Sequence, residues 1–321
     1  MSSTLHIWTI GTERTASTRL RVHQYLPRLL SDGIQPRVRT IPNGFVPRLW
    51  LKAALKRGDG LLVQKKLFSV EEVHRLRGRA SRMLYDYDDA VYLDGPGSTR
   101  NRDRFRAVTA VADRVVAGNR NLAEASGVAA AVLPTPVDTD AVRPAPAEER
   151  DPGLLAWIGS RTNLPNLTPA FVAFARLRAR RSGLTWVVMA DLPPARAPDG
   201  VVFETWSEKA ERALLRRAAY GLMPLDDTAF NRGKCGFKIL LYQAAGMCVI
   251  ASPVGINADL VHHGRDGFLA GPGEWDRVLE TAVADPTAAR RIGEAGRDRV
   301  EHTHSLNVLY PRFRDLLTES G

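Results

Sequence analysis

Two consecutive doubly wound α/β domains are the architecture this chain predicts, and three observations predict it. Short β-rich runs alternate with helical patterns along almost the whole sequence, as expected of parallel sheets built from strand–helix–strand units. At 321 residues the chain is long for a single hydrophobic core. A stretch rich in Pro, Ala and Glu at 136–152 interrupts the alternation and reads as a linker.

The first strand pattern begins at once, with Leu5-His-Ile-Trp-Thr-Ile, and further strands are expected at 35–42, 60–64, 82–86, 113–118 and 129–135. Between them lie helical patterns at about 17–31, 47–56, 70–79, 102–111 and 119–126. Six strands and five crossovers make one Rossmann-like domain. Beyond the linker come a strand at 154–159, a helix at 167–181, strands at 184–189 and 201–205, a helix at 207–218 and a strand at 221–225. A Gly/Lys loop leads into a helix at 237–245 and a strand at 248–252. Gly255 with a short helix, a segment at 267–270, and helices near 273–284, 286–301 and 305–318 complete the chain. The expected domains are 1–140 and 141–304, followed by a terminal helix at 305–321, with a ligand cleft at the carboxyl ends of both sheets.

Composition is that of a globular protein, with 44% hydrophobic and 25% charged residues, which excludes disordered and fibrous classes. The net charge of +10 is uneven: residues 1–150 hold 24 basic against 16 acidic side chains, the remainder 21 against 19. The first half therefore faces something acidic, a membrane surface, or water. Nucleic acid is not expected, because no aromatic residues are interleaved with the arginines. Two cysteines, Cys235 and Cys248, cannot make a disulfide framework and suit a reducing compartment. With no secretory pattern at the start and no apolar run of membrane-spanning length, a cytoplasmic location is expected. The segment 45–57, Phe-Val-Pro-Arg-Leu-Trp-Leu-Lys-Ala-Ala-Leu-Lys-Arg, reads as a basic helix. It suits peripheral contact with an anionic membrane, although an ordinary core-packed helix is the stronger reading.

The most informative run is 231–249, where a glycine-loosened basic loop enters a helix and then a short buried strand. Gly233 and Gly236 let the backbone approach a ligand, and the first helical turn offers open N–H groups to a phosphate. Lys234 and Lys238 stand four apart and share a face if the helix begins near Lys234. The loop after the first strand, Gly11-Thr-Glu-Arg-Thr-Ala-Ser-Thr-Arg-Leu-Arg, has the place of a phosphate loop without its sequence. Ser17 is expected to cap the helix there, with Arg19 and Arg21 in the first turn, where the dipole disfavours cations unless an anion is bound. The alternative is a capped helix with solvated arginines.

Tyr85-Asp-Tyr-Asp-Asp-Ala ends the fourth strand. Asp86, Asp88 and Asp89 can accept hydrogen bonds from sugar hydroxyls, act as a base, hold a metal or simply be solvated; a divalent cation wants more oxygen ligands than these. Alternation puts Asp86 and Asp88 on one side and Asp89 on the other. Trp157-Ile-Gly-Ser-Arg-Thr-Asn places Ser160, Arg161 and Asn163 at a strand end suited to phosphate or hydroxyl contacts, or to a plain turn. Trp206 either stacks on a nucleobase or packs. The histidines lack zinc spacing. Cys235 lies among lysines that can lower its pKa, but no supporting histidine is identifiable.

The runs Gly221-Leu-Met-Pro-Leu, Gly233-Lys-Cys-Gly-Phe-Lys-Ile-Leu-Leu-Tyr-Gln-Ala-Ala-Gly, Val249-Ile-Ala-Ser-Pro-Val-Gly and Asp266-Gly-Phe-Leu-Ala resemble those of GT-B glycosyltransferases, specifically family 4 of the retaining enzymes. Ser17-Thr-Arg-Leu-Arg and Tyr85-Asp-Tyr-Asp-Asp-Ala add weaker likeness in the first half. The resemblance implies two Rossmann-like domains facing across a cleft, with the last helix packing back towards the first. A nucleotide-sugar donor would be held by Ser160, Arg161, Asn163, Trp206, Gly233, Cys235, Gly236, Phe237 and Ile239. An acidic or polar acceptor, small, lipid-linked or saccharide, would meet Thr12, Ser17, Arg19, Asp88 and Asp89. Lys238, Lys234 and Asp86 are the implied catalytic groups, with no cofactor and no metal, because basic residues stabilise the departing diphosphate. The family often carries two glutamates eight positions apart, the second on the donor ribose; the matching positions here are Gly233 and Leu241, so ribose recognition must differ. A nucleotide-sugar epimerase, a pseudo-glycosyl coupling enzyme or a non-catalytic nucleotide-sugar binder fits the same pattern.

Overall fold

The computed structural model describes residues 4–318, the side chains of 45–47 excepted, so that the first three residues of the proposed membrane-contacting segment fall outside the described side chains. The chain divides into two compact units. One comprises residues 1–136, 233–235 and 306–321, the other 137–232 and 236–305.

In the first unit the order is β1 Leu5–Thr9, α1 Ala16–Arg21, α2 Leu26–Ser31, β2 Arg37–Thr40, α3 Phe45–Ala53, β3 Gly60–Gln64, α4 Val70–Arg77, β4 Arg82–Tyr87, α5 Arg100–Val111, β5 Arg114–Ala117, α6 Arg120–Ala125 and β6 Ala130–Val132. The strands form a parallel sheet of order β2-β1-β3-β4-β5-β6. Period-two alternation sends Trp8, Leu61, Val63, Met83, Tyr85, Tyr87 and Val115 into one core layer. Ile7, Leu62, Leu84 and Val116 go to the layer on the opposite face.

The helix expected at 17–31 is two helices separated by a 3-10 turn at His23–Tyr25. Pro27 explains the break. It has no N–H for an i−4 bond and its ring crowds the preceding turn, but it fits the start of a new helix, where it stands in α2.

The second unit runs β7 Asp151–Ile158, α7 Thr168–Arg180, β8 Thr185–Ala190, β9 Val201–Thr205, α8 Glu208–Arg217, β10 Ala218–Met223, α9 Ala229–Arg232, α10 Phe237–Ala244, β11 Cys248–Ala251, α11 Asn257–Leu260, β12 Phe268–Leu269, α12 Trp275–Ala284 and α13 Pro286–Thr303. Its parallel sheet has the order β12-β11-β10-β7-β8-β9. β7 starts at Asp151, inside the expected linker, and β10 starts three residues before the expected strand. Leu154, Ala156 and Ile158 face one core layer, Leu155 and Trp157 the other. Gly221 in β10 is required by packing: a Cβ there would lie 2.3 Å from the Tyr242 ring of α10.

The last helix, α14 Leu306–Thr318, belongs to the first unit. Leu306, Leu309, Phe313, Leu316 and Leu317 join the layer containing Ile7 and Leu62. Phe313 stacks on Tyr25 with ring centroids 4.0 Å apart. Arg82 donates to the carbonyls of Leu316 and Leu317, at 3.1 Å each, satisfying acceptors at the helix end. Among the described residues no helix is long and apolar enough to cross a membrane.

Phe313→Ala is expected to destabilise the first unit by about 3–5 kcal/mol, the usual result of deleting a buried aromatic ring. Urea unfolding followed by circular dichroism measures it. A loss below about 1 kcal/mol would mean α14 is not an integral layer of that unit.

Candidate functional site

Polar side chains gather at the carboxyl ends of both sheets, a rim where strands covered on both faces can still present them to solvent. In the first unit, Lys65 follows β3 and is buried, with a left-handed backbone at φ 58°. Its amide donates to the Asp86 carbonyl at 2.7 Å, and its ammonium meets Asp88 at 2.6 Å, Asp89, and Ser17 Oγ at 3.1 Å. Burial by itself lowers the pKa of this ammonium. Asp88 and Asp89 more than offset that, so the pKa is raised and Lys65 stays charged.

Asp89 is the carboxyl of this group that reaches water, its side chain 39% exposed against 13% for Asp88. Burial and then the Asp88 charge push its pKa up, with Lys65 opposing. Asp88 and Asp89 do not sit on opposite sides as alternation predicts. β4 ends at Tyr87, so the period-two rule no longer applies, and one lysine gathers both.

Ser17 is not a helix cap. Thr15 occupies that position without a side-chain bond, and Ser17 lies within α1, its hydroxyl 3.0 and 3.1 Å from the two Asp88 oxygens. Arg19 is half-buried and Thr12 exposed. Arg21 is not solvated either. It is buried and ion-paired with Asp86, which is 3% exposed, through Nε at 3.2 Å and through Nη2; it also donates to the Leu133 carbonyl at 2.6 Å. Burial would lower the pKa of this guanidinium, but Asp86 raises it further; burial in turn pushes the Asp86 carboxyl up, with Arg21 opposing. Strand parity accounts for it: Asp86 follows Leu84 onto the face covered by α1. Asp86, expected beside the reaction centre, is thus enclosed in the core.

The loop Gly233–Cys235 is grouped with these residues. Asn119, whose Oδ1 caps α6, donates from Nδ2 to the carbonyls of Lys234 at 3.0 Å and Gly233 at 3.3 Å. Cys235 Sγ donates to the Asp88 carbonyl at 3.2 Å, and Gly118 must lack a Cβ because one would lie 2.4 Å from that sulfur. Burial pushes the Cys235 thiol pKa up despite neighbouring cations, so it is a protonated packing group and not the lowered thiol its lysine neighbours suggest. The Lys234 ammonium is lowered, chiefly by burial, with Asp89 opposing.

In the second unit α10 begins only at Phe237, after Gly236 at φ 64°. Lys234 therefore lies outside the helix, and the shared helical face expected for Lys234 and Lys238 does not form. Gly236 has no room for a side chain: a Cβ would be 2.3 Å from Leu260 Cδ1. No side chain caps α10. Lys238, in its first turn, sits over the Trp157 ring with Nζ 4.8 Å from the centroid, a cation–π contact with the end of β7.

Ile239, expected at the donor, is fully buried in the core, as is Leu241. Phe237 and Trp206 are half-buried against the same core layer, and Trp206 Nε1 donates to Glu211 at 2.8 Å. Ser160, Arg161 and Asn163 form a turn after β7: Asn163 Nδ2 donates to Ser160 Oγ at 2.9 Å, and the Arg161 amide to Asp191 at 2.7 Å.

Two groupings escaped the sequence reading. Lys65 had a signal, since it directly follows the carboxyl end of β3 at Gln64. Asn166 and Asn231 had none: Asn166 Oδ1 accepts from Asn231 at 2.8 Å and from the Asp226 amide at 3.0 Å, fixing the loop after β10. Among the described residues no group of three or more His, Cys, Asp or Glu side chains converges as a metal site.

Residues 154–285 match the family model described as glycosyl transferases group 1, which makes this part of the second unit a glycosyl transferase domain. The whole chain has the GT-B fold. It is similar to Anabaena HepE in complex with UDP and glucose, at TM-score 0.75 and 14% identity over 98% of this chain and 99% of that one. It is also similar to sucrose-phosphate synthase from Thermosynechococcus elongatus, at 0.72 and 16% over 97% and 98%. For the lipopolysaccharide outer core galactosyltransferase WaaB the values are 0.67 and 13% over 97% and 98%. No curated protein sequence matches the chain.

Asp86→Ala, by leaving Arg21 buried and unpaired, is expected to cost about 3–5 kcal/mol of stability, and Arg21→Met with Asp86→Leu to restore most of it. Urea unfolding of the three variants measures this. An Asp86→Ala protein of unchanged stability would refute the structural role.

Proposed function

We propose that this glycosyltransferase moves a sugar from a nucleotide-activated donor to a hydroxyl of a small-molecule, lipid-linked or saccharide acceptor, with retention and without a metal, in the cytoplasm. The observation that carries the reading is the start of α10. An uncapped helix N-terminus, a glycine with no room for a Cβ, and a lysine in the first turn held over Trp157 together suit a diphosphate. In transfer, the bond from the anomeric carbon to the diphosphate oxygen breaks, and the acceptor oxygen bonds that carbon while its proton passes to the departing phosphate. Negative charge grows on the diphosphate, so fixed donors and the Lys238 ammonium stabilise the transition state more than the ground state.

On the acceptor side, Asp89 reaches solvent and is oriented by Lys65, which suits hydrogen bonding to a sugar-like hydroxyl. Leu241, at the place of the second family glutamate, lies in the core, which supports ribose recognition by other groups. The UDP and glucose complex of HepE and the UDP-glucose complex of an α-glucosyltransferase make uridine diphosphate the first donor to try. Two free cysteines suit a reducing compartment.

Calorimetry with UDP, GDP, ADP, CDP and dTDP is expected to show one preferred base. Lys238→Ala should weaken that binding and lower kcat in sugar transfer by about 10²–10³-fold at unchanged thermal stability. Full turnover in Lys238→Ala would overturn the assigned mechanism, and inversion at the transferred carbon would overturn retention.

A further inference from the structure

Between α3, α4 and the start of α5 lies a concavity of about 1150 Å³, which runs along these helices from the carboxyl-end rim of the first sheet, where α4 and α5 begin. Seven Lys and Arg side chains line it, Arg48, Lys52, Arg75, Arg79, Arg100 and Arg104 among them, against only Glu71 and Glu72. Glu72 is already engaged, ion-paired with Lys52 and accepting from the Ser69 amide in the capping box of α4. Neighbouring Lys66 has its pKa lowered by burial first and then by Arg48, with Glu72 opposing and Arg104 and Arg100 adding.

Only part of this charge serves the local fold: Lys52 pairs with Glu72, Arg79 donates to the Lys52 carbonyl at 3.0 Å, and Arg48 donates to the Gly44 carbonyl at 2.8 Å. Arg100 opens α5, where the dipole disfavours a cation and the first turn offers one acid, Asp103. Arg57, Arg75 and Arg100 are exposed to solvent.

Beside them on α3, Trp50 is 75% exposed, the most exposed large hydrophobic side chain among the described residues, and Leu49 is 45% exposed. A soluble polyanion would satisfy the arginines and leave this indole in water. A bilayer interface takes both, anions against the cations and the indole and leucine among the headgroups. We propose that this face of the first unit docks on a membrane surface rich in anionic phospholipid, its arginines on the headgroups and Trp50 and Leu49 entering the interface. Docking of this kind does not rest on the transfer reaction, since none of these side chains belongs to the site described above.

Full-length protein is mixed with vesicles of equal parts phosphatidylglycerol and phosphatidylcholine, or of phosphatidylcholine alone, and binding is read by co-sedimentation and tryptophan emission. Trp50 gives the optical signal, because Trp8, Trp157, Trp186 and Trp275 are buried and Trp206 is half-buried. The expected result is binding to the anionic vesicles alone, a blue shift of the emission, and release by high salt. Each cation adds roughly fivefold to such partitioning, so Arg75→Glu with Arg100→Glu should weaken binding by at least about tenfold. Trp50→Ala should abolish the shift, and thermal melting and nucleotide binding of both variants should match wild type. No sedimentation with anionic vesicles at low salt, equal binding by the Arg75→Glu/Arg100→Glu protein, or an emission that does not move on binding would each overturn the proposal. The last outcome, with inorganic polyphosphate displacing the vesicles, would assign the surface to a soluble polyanion.

Discussion

Each sheet is parallel and packed on both faces, and that double burial constrains everything else. A strand inside such a sheet has no polar side to spare, so its residues alternate between two apolar layers and polar chemistry is confined to strand ends. Consecutive residues part company in this way at Ile7 and Trp8, Leu61 and Leu62, Leu154 and Leu155, and Ala156 and Trp157. The polar groups therefore appear where strands stop: Lys65 after β3, Asp88 and Asp89 after β4, Asn119 after β5, Ser160 after β7.

Where a charge does enter the layers, it is matched. Asp86 and Arg21 neutralise each other in the core, and this pair ties α1 to β4 so that Ser17, one turn earlier in α1, comes to rest on Asp88. Lys65 performs the same service nearer the surface, holding two adjacent carboxylates that would otherwise repel. The cost of its left-handed backbone, on the order of 1–2 kcal/mol, is offset by those contacts. By contrast, the cations around α3, α4 and α5 outnumber their partners, and that imbalance distinguishes a surface turned outward from a network turned inward.

Much of the site was readable as a neighbourhood and little of it as a geometry. The glycine and lysine pattern at 233–238 pointed to the loop ahead of α10, and the strand-end position pointed to Asp88, Asp89, Ser160 and Asn163. The reading of Lys234 with Lys238 failed because helical spacing holds only inside a helix, and Gly236 delays the helix to Phe237. Ile239 was expected at the donor from the family resemblance, yet it lies one residue along the helix from Lys238, a turn of about 100°, and that carries it into the core.

The sequence by itself determined the alternation of strands and helices, hence two parallel α/β sheets, and the strand ends at which chemistry is possible. These depend on local periodicity and on where glycine and proline stand. Only the tertiary structure decided which residues meet: Arg21 with Asp86, Lys65 with Asp88 and Asp89, Asn119 with Gly233 and Lys234, and α14 over Tyr25. Period-two alternation assigns a side chain to a face but not to a partner. The partner follows from strand order, register and chain return, which are set by burial summed over the whole unit.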